Sequence, residues 1–222
     1  MKLGVLFSGG KDSCYSAYLA QKQGHELTCL IAMFSENPES YMFHTPNIEL
    51  TEKQAEVMNI PLLIHKTPGQ KEEELKDLKQ AIKTAQDKYG IQGIVTGALH
   101  SEYQRSRIQK ICDELELECI NPLWHIDEVE YLKKLIASKF KVIIIGVYAY
   151  PLDQTWLQRE IDDRFISDVI DLKDEYKIHP AGEGGEFETF IVNCPLFKRE
   201  LKITKHLAEG KGNSWKLNIE VE

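Results

Sequence analysis

A five-residue apolar run, Leu3 to Phe7, passes directly into Ser8-Gly9-Gly10-Lys11-Asp12-Ser13 and then into a helix pattern from Ser13 to Gln23. This order constrains the fold more tightly than any other feature of the chain. A compact apolar run of that length reads as a buried strand, and a polar, glycine-bearing turn hands it on to a helix. The alternation recurs. Leu27 to Phe34, Leu62 to His65, Ile91 to Thr96 and Lys141 to Tyr148 read as further strands, with Cys119-Ile120 as a short extended piece. Helix patterns run from Thr51 to a stop at Pro61, from Lys71 to Tyr89, from Ser101, and from Asp127 to Ser138. Thr51-Glu52-Lys53-Gln54 and Ser101-Glu102-Tyr103-Gln104 have the spacing of capping boxes, and Glu72-Glu73-Glu74 reads as a solvated helix face. Strands alternating with helices need crossover connections, so the expected fold is α/β, a doubly wound parallel sheet.

After Pro151 the pattern changes. Short helical stretches cover residues 154–176, and a Gly- and Glu-rich segment follows from His179 to Thr189. Alternating runs at Phe187 to Val192, Leu201 to Thr204 and Trp215 to Val221 then indicate antiparallel strands. The expected division is residues 1–150, an α/β domain carrying the glycine turn, and residues 151–222, a small C-terminal α+β lobe. The net charge of -8 argues against nucleic acid as a partner. Five cysteines, an odd count without a C-x-x-C pair, read as reduced cytoplasmic thiols and give no zinc-finger spacing. The apolar N-terminal run is too short for a signal peptide, and no apolar stretch is long enough to span a membrane. The oligomeric state stays open, a homo-oligomer included.

Strand, Ser-Gly-Gly-Lys-Asp-Ser, helix is the layout of an anion site. Gly9 and Gly10 let backbone N–H groups come close to phosphate oxygens, and the helix N-terminus adds unpaired donors and partial positive charge. Lys11 supplies a point charge. Ser8 and Ser13 offer hydroxyls, and Asp12 fits as an orienter of Mg²⁺ or as a helix cap. Neither a Walker A string nor a dinucleotide G-x-G-x-x-G fits this turn.

Ser8 to Ser13 resembles the signature of the PP-loop ATP pyrophosphatases. The resemblance implies a five-stranded parallel sheet and cleavage of ATP to AMP and pyrophosphate, with ATP bound by Ser8, Gly9, Gly10, Lys11, Asp12 and Ser13 and Mg²⁺ by Asp12. Further strings narrow it: Ser35-Glu36-Asn37 through Tyr41-Met42-Phe43-His44-Thr45, Gly97-Ala98 with Tyr103-Gln104-Arg105-Ser106-Arg107, Leu152-Asp153 with Trp156-Leu157, and His179 to Thr189, within which Glu183-Gly184-Gly185-Glu186-Phe187-Glu188-Thr189 is the most specific. Together they are similar to the diphthine–ammonia ligase family, in its short archaeal form, over nearly the whole chain. Gln158 and Pro151 depart from the expected family pattern.

That resemblance implies ATP-dependent amidation of diphthine on translation elongation factor 2 with ammonium, through an acyl-adenylate. Lys11, Asp12, Glu183, Glu186 and Glu188 are the catalytic candidates. The three glutamates repel one another unless a cation neutralises them. They would bind ammonium or the trimethylammonium of diphthine, or act as base; Mg²⁺ is a second reading. Gly97 and Arg105 are further ATP contacts. Arg107 lies about 200° round the helix from Arg105 and reads as surface. His44, Trp156, Gly184, Gly185 and Thr189 are the substrate candidates, His44 as a gate or protein contact. Trp156 reads as either core or a platform for a trimethylammonium cation. Two other classes fit the loop: a PP-loop tRNA-modifying enzyme and a non-enzymatic ATP sensor.

Overall fold

The computed structural model describes residues 1–35, 37, 48–69 and 73–222. They form two compact units, Met1–Trp124 and His125–Glu222. In the first unit strands and helices alternate: β1 (Lys2–Leu6), α1 (Lys11–Lys22), β2 (Glu26–Ser35), α2 (Thr51–Met58), β3 (Leu62–Thr67), α3 (Glu73–Tyr89), β4 (Gly93–Val95), α4 (Glu102–Glu114) and β5 (Glu118–Ile120). The sheet order is β3-β2-β1-β4-β5, with every neighbouring pair parallel. This is the expected five-stranded doubly wound α/β sheet. Leu3 and Val5 of β1 and Leu30 and Ala32 of β2 have no exposed surface, which accounts for the unbroken apolar runs. Against one face pack Leu78, Ala81, Ile82 and Ala85 of α3 and Ile108, Ile111 and Cys112 of α4, meeting Cys29, Ile31 and Ile94 of the sheet. Each leucine and isoleucine among them contributes roughly 1.5–3 kcal/mol by leaving water.

The second unit contains α5 (Glu128–Ala137), β6 (Lys141–Val147), α6 (Asp163–Tyr176), β7 (Phe187–Asn193), β8 (Ile203–Lys211) and β9 (Ser214–Val221). Its four-stranded sheet has the order β7-β6-β9-β8 and is antiparallel throughout. Phe165 of α6 meets the Phe187 ring edge-on, centroids 5.6 Å apart, and so seats α6 on β7.

Three expectations change. The run from Lys141 is not the last parallel strand but a central strand of the antiparallel sheet, so the structural boundary falls after Trp124 rather than at 150. Val142 to Val147 are buried by neighbours on both sides, and an apolar run reports that burial without reporting strand direction. The fifth parallel strand is the three-residue β5 at the sheet edge, whose Cys119-Ile120 carries a weak apolar signal. Thr51 does not cap α2: it is the first helical residue, and Leu50 precedes it in a helical conformation after a short 3₁₀ turn at Ile48–Leu50. Ser101 does cap α4, accepting from the Gln104 N–H at 3.3 Å. Glu74 is fully buried rather than solvated. None of the five cysteines forms a disulfide, and among the described residues no helix is long and apolar enough to cross a membrane.

Leu78 has no exposed surface and sits where α3 meets the sheet. Leu78→Ala is expected to cost about 3 kcal/mol in urea unfolding; a cost under about 1 kcal/mol would mean that this face is not the packed core described.

Candidate functional site

The sheet order reverses between β1 and β4, and an open α/β sheet has its natural crevice beyond the carboxyl ends of strands at such a switch point. Two turns lie there, Phe7 to Gly10 after β1 and Thr96 to His100 after β4. In the first, Ser13 acts as a staple. Its hydroxyl donates to the Gly10 carbonyl (3.2 Å), accepts from the Ser8 N–H (3.3 Å) and lies 3.2 Å from the Ser8 hydroxyl. Gly10 stands at the N-cap of α1 with no side chain to cover the helix end, so the first-turn N–H groups face outward as an anion would need. Lys11 is only 4% exposed and pairs with Asp12 at 2.9 Å. Asp12, in the first turn of α1, also complements the helix dipole.

The second turn approaches this helix end very closely. A Cβ on Gly97 would lie 2.9 Å from both the Asp12 carbonyl carbon and the Ser13 nitrogen. Gly97 therefore lets one backbone rest on another, with the second turn against the start of α1. Thr96 stiffens that turn, donating to Asn121 at 2.7 Å and accepting from the Ala98 N–H at 3.2 Å. Arg105 binds Glu102 through Nε (3.0 Å) and Nη2 (2.9 Å), with its guanidinium over the Trp124 ring at 4.9 Å. Arg107 instead stacks on Tyr103 at 3.4 Å. His44 lies outside the described residues.

A second cluster belongs to the other unit. Between α6 and β7 the chain turns through Gly182, Gly184 and Gly185. His179 Nδ1 accepts from the Ala181 N–H (3.2 Å), and the Glu186 carboxylate accepts from the His179 N–H (2.8 Å), tying the turn to its own base. Phe187 is buried, on the face opposite Glu188. Glu188 lies across from Gly146 of β6, and Thr189 across from Ile144, with an irregularity at Ile145. Tyr148 folds back over Gly146, where a Cβ would stand 2.5 Å from the phenol oxygen, and its hydroxyl donates to Glu188 at 3.2 Å. Burial pushes the Glu188 carboxyl up to about 7, with the Tyr148 hydrogen bond and the Lys216 cation pulling the other way. Such a group exchanges protons near neutrality. Sequence reasoning missed Tyr148; the available signal was a glycine inside an otherwise aliphatic strand, two residues before a tyrosine.

Gly184 and Gly185 are exposed, and Glu183 and Thr189 half-buried. Trp156 meets Phe165 edge-on at 5.7 Å and has the Arg159 guanidinium over its ring at 4.1 Å, with Arg159 in turn bound to Asp168 at 2.6 Å. One face of the indole is thus already matched with a cation. The donor set of the loop suits a triphosphate, and the Asp12 carboxylate is the hard oxygen ligand Mg²⁺ prefers.

Comparison with known proteins gives a consistent picture. Residues 1–119 match the profile described as the diphthamide synthase N-terminal domain, and residues 127–220 the diphthamide synthase C-terminal domain. The diphthine–ammonia ligase of Mus musculus is 33% identical over 221 residues, covering 91% of this chain and 83% of that protein. The Homo sapiens protein of that name is 32% identical, at 90% and 82% coverage. For the Schizosaccharomyces pombe protein the identity is 31%, and the match covers 92% of this chain but 36% of the longer relative. A 62-residue stretch is 42% identical to a tRNA-specific 2-thiouridylase of Helicobacter pylori, 28% of this chain. A crystal structure described as a predicted tRNA methyltransferase subunit from Methanocaldococcus jannaschii aligns at TM-score 0.44 and 18% identity, over 90% of this chain and 99% of that one.

The Glu188 carboxyl keeps its proton in the folded protein up to about pH 7, whereas the ordinary value is 4.5. Between those limits the native state binds more protons than the unfolded chain, so stability falls as pH rises through the window, by up to roughly 3 kcal/mol. Glu188→Gln is expected to abolish that decline. Urea midpoints at pH 5 and pH 8 test it, and an identical pH dependence in wild type and variant would refute it.

Proposed function

Because this chain belongs to the diphthine–ammonia ligase family, whose members are ATP-using ligases that form C–N bonds, we propose that it amidates the carboxylate of diphthine on elongation factor 2 with ammonium, through an acyl-adenylate. The observation that carries this reading is the pairing of two chemistries in one chain: a glycine-lined helix terminus with a buried lysine, and a half-buried carboxyl poised to take a proton near pH 7.

The steps follow from what each group can do. Ammonia cannot displace oxide from a carboxylate. Attack of that carboxylate on the α-phosphorus of ATP forms a C–O–P bond and releases pyrophosphate, which makes AMP the later leaving group. Lys11, the N–H groups around Gly9 and Gly10, and Ser8 would stabilise the charge on the phosphates. Arg105 would join them by exchanging Glu102 for a phosphate oxygen. Bound Mg²⁺, held through Asp12, would supply neutralisation of the triphosphate. Ammonium must then lose a proton before it can attack the acyl carbon. Glu188 would accept it, held in place by Tyr148, with Glu183 and Glu186 supplying further negative charge for the cation. The attack expels AMP and leaves the amide.

On this reading residues of the first unit bind ATP, and Trp156, Gly184, Gly185 and Thr189 of the second meet the protein substrate, with His44 a further contact. On this reading the reaction takes place in the cytoplasm.

Pyrophosphate release from Mg·ATP and ammonium, with and without diphthine-bearing elongation factor 2, tests the reading. Release is expected to need the factor and to be matched by a loss of one mass unit from it. Release that ignores the factor and responds to tRNA would favour a tRNA-modifying role. Lys11→Ala is expected to lower release by roughly 10²–10³-fold. Glu188→Gln is expected to lower the ammonium-dependent rate by about 10²–10⁴-fold while leaving factor-dependent ATP–pyrophosphate exchange nearly intact. The wild-type ammonium step should decline below about pH 7, as Glu188 becomes protonated.

A further inference from the structure

Gln54 lies on α2, away from the loop in sequence, and has no exposed surface. Had the string from Thr51 formed a capping box, the Gln54 side chain would turn back on its own helix. Instead its amide nitrogen donates to the Gly9 carbonyl at 3.0 Å. Gly9 adopts φ +79, and a Cβ there would lie 2.3 Å from the Gln54 side-chain oxygen. The amide of Gln54 is thus in direct contact with the loop at its left-handed residue.

A pair of glycines solves one problem and creates another. Without side chains the backbone can come close to phosphate, but both residues tolerate either sign of φ, so the peptide between them can rotate by half a turn at little steric cost. The two faces of that peptide are not equivalent. A peptide unit is planar, with its carbonyl and N–H pointing opposite ways. With the Gly9 carbonyl held toward α2, the Gly10 N–H must point away from it, where it donates to the Ser8 hydroxyl at 3.4 Å. Rotated, the same peptide would present a carbonyl to an incoming anion.

We propose that Gln54 is a positioning residue that locks the Gly9–Gly10 peptide with its N–H on the phosphate side of the loop. This rests on the reading of the loop as the ATP site and adds to it a residue outside the loop. Gln54 touches no phosphate; it acts through Gly9.

Gln54→Met removes the donor at similar volume, and Gln54→Glu replaces it at almost identical shape with a group that, ionised, can only accept. Binding of Mg·ATP and of adenosine to the full-length protein is measured by calorimetry for each, with folding checked by circular dichroism. ATP affinity is expected to fall by about tenfold in both variants while adenosine binds as in wild type, because only the phosphates meet the affected donor. A purely structural role would weaken both ligands together. Equal loss for ATP and adenosine, or ATP affinity within twofold of wild type in a folded variant, overturns the proposal. Absence of ATP binding by the wild type would instead remove the ATP reading itself. Should neither variant fold, the unaltered protein decides: the Gly10 amide resonance must move on addition of Mg·ATP, and a Gly10 resonance indifferent to saturating ATP overturns the proposal.

Discussion

Parallel pairing of β1 with β4 is the contact on which the first unit turns. The chain builds β1, β2 and β3 outward in one direction, then returns to the other side of β1 for β4 and β5. That reversal leaves the ends of β1 and β4 adjacent with no crossover helix covering them. It also presses the turn at Gly97 against the first peptide units of α1, at a distance only backbone can tolerate. Burial on both faces of β1 and β2 keeps the register fixed, since a slip would break the fit of Leu3, Val5 and Leu30 at once. A rigid floor under a glycine-rich turn is what allows a few N–H groups to hold one orientation.

Much of this was legible in the residues. The Ser8 to Ser13 string announced its strand, turn and helix, because glycines and a helix start have strict backbone requirements that sequence records directly. Ser101 as a cap was equally visible. Other features needed the third dimension. Lys141 to Val147 has the same aliphatic composition whichever way its neighbours run, so its membership of the antiparallel sheet could not be read from it. β5 was nearly invisible because an edge strand of three residues needs little apolar surface. Glu74 looked like its acidic neighbours yet is buried. Gln54 and Tyr148 were missed for a shared reason: each matters through one hydrogen bond to a residue far along the chain, Gly9 for Gln54 and Glu188 for Tyr148, and a single long-range contact leaves little local pattern.

Electrostatics is handled differently in the two units. In the first, Lys11 is buried beside a carboxylate and a helix terminus, so the site carries a balanced charge that an anion and a cation can enter together. In the second, burial acts against the charge of Glu188, and a tyrosine and a lysine only partly offset it. The same unit shows the opposite solution at Arg159, a guanidinium sandwiched between the Trp156 ring and the Asp168 carboxylate and so satisfied on both sides. Trp156 therefore serves the packing of its own unit, and any foreign cation would have to use its remaining surface.

The strand order also bears on how the chain comes off the ribosome. Every partner of β1 to β5 lies within the first 120 residues; β2 follows β1 closely, but the other edge of β1 waits for β4, some ninety residues on. β6 must wait for β7, and its other neighbour, β9, begins only at Ser214. An aliphatic strand thus emerges with only residues 158–161 bonded to it until β7 begins, some forty residues after its end, and β9 follows later still. Contacts that span such separations close slowly, and unpaired apolar strands are what chaperones recognise. Both units therefore hold an aliphatic strand with an open edge during synthesis, β1 until β4 and β6 until β7 and β9, and nascent chains arrested at either stage would be aggregation-prone species of this protein.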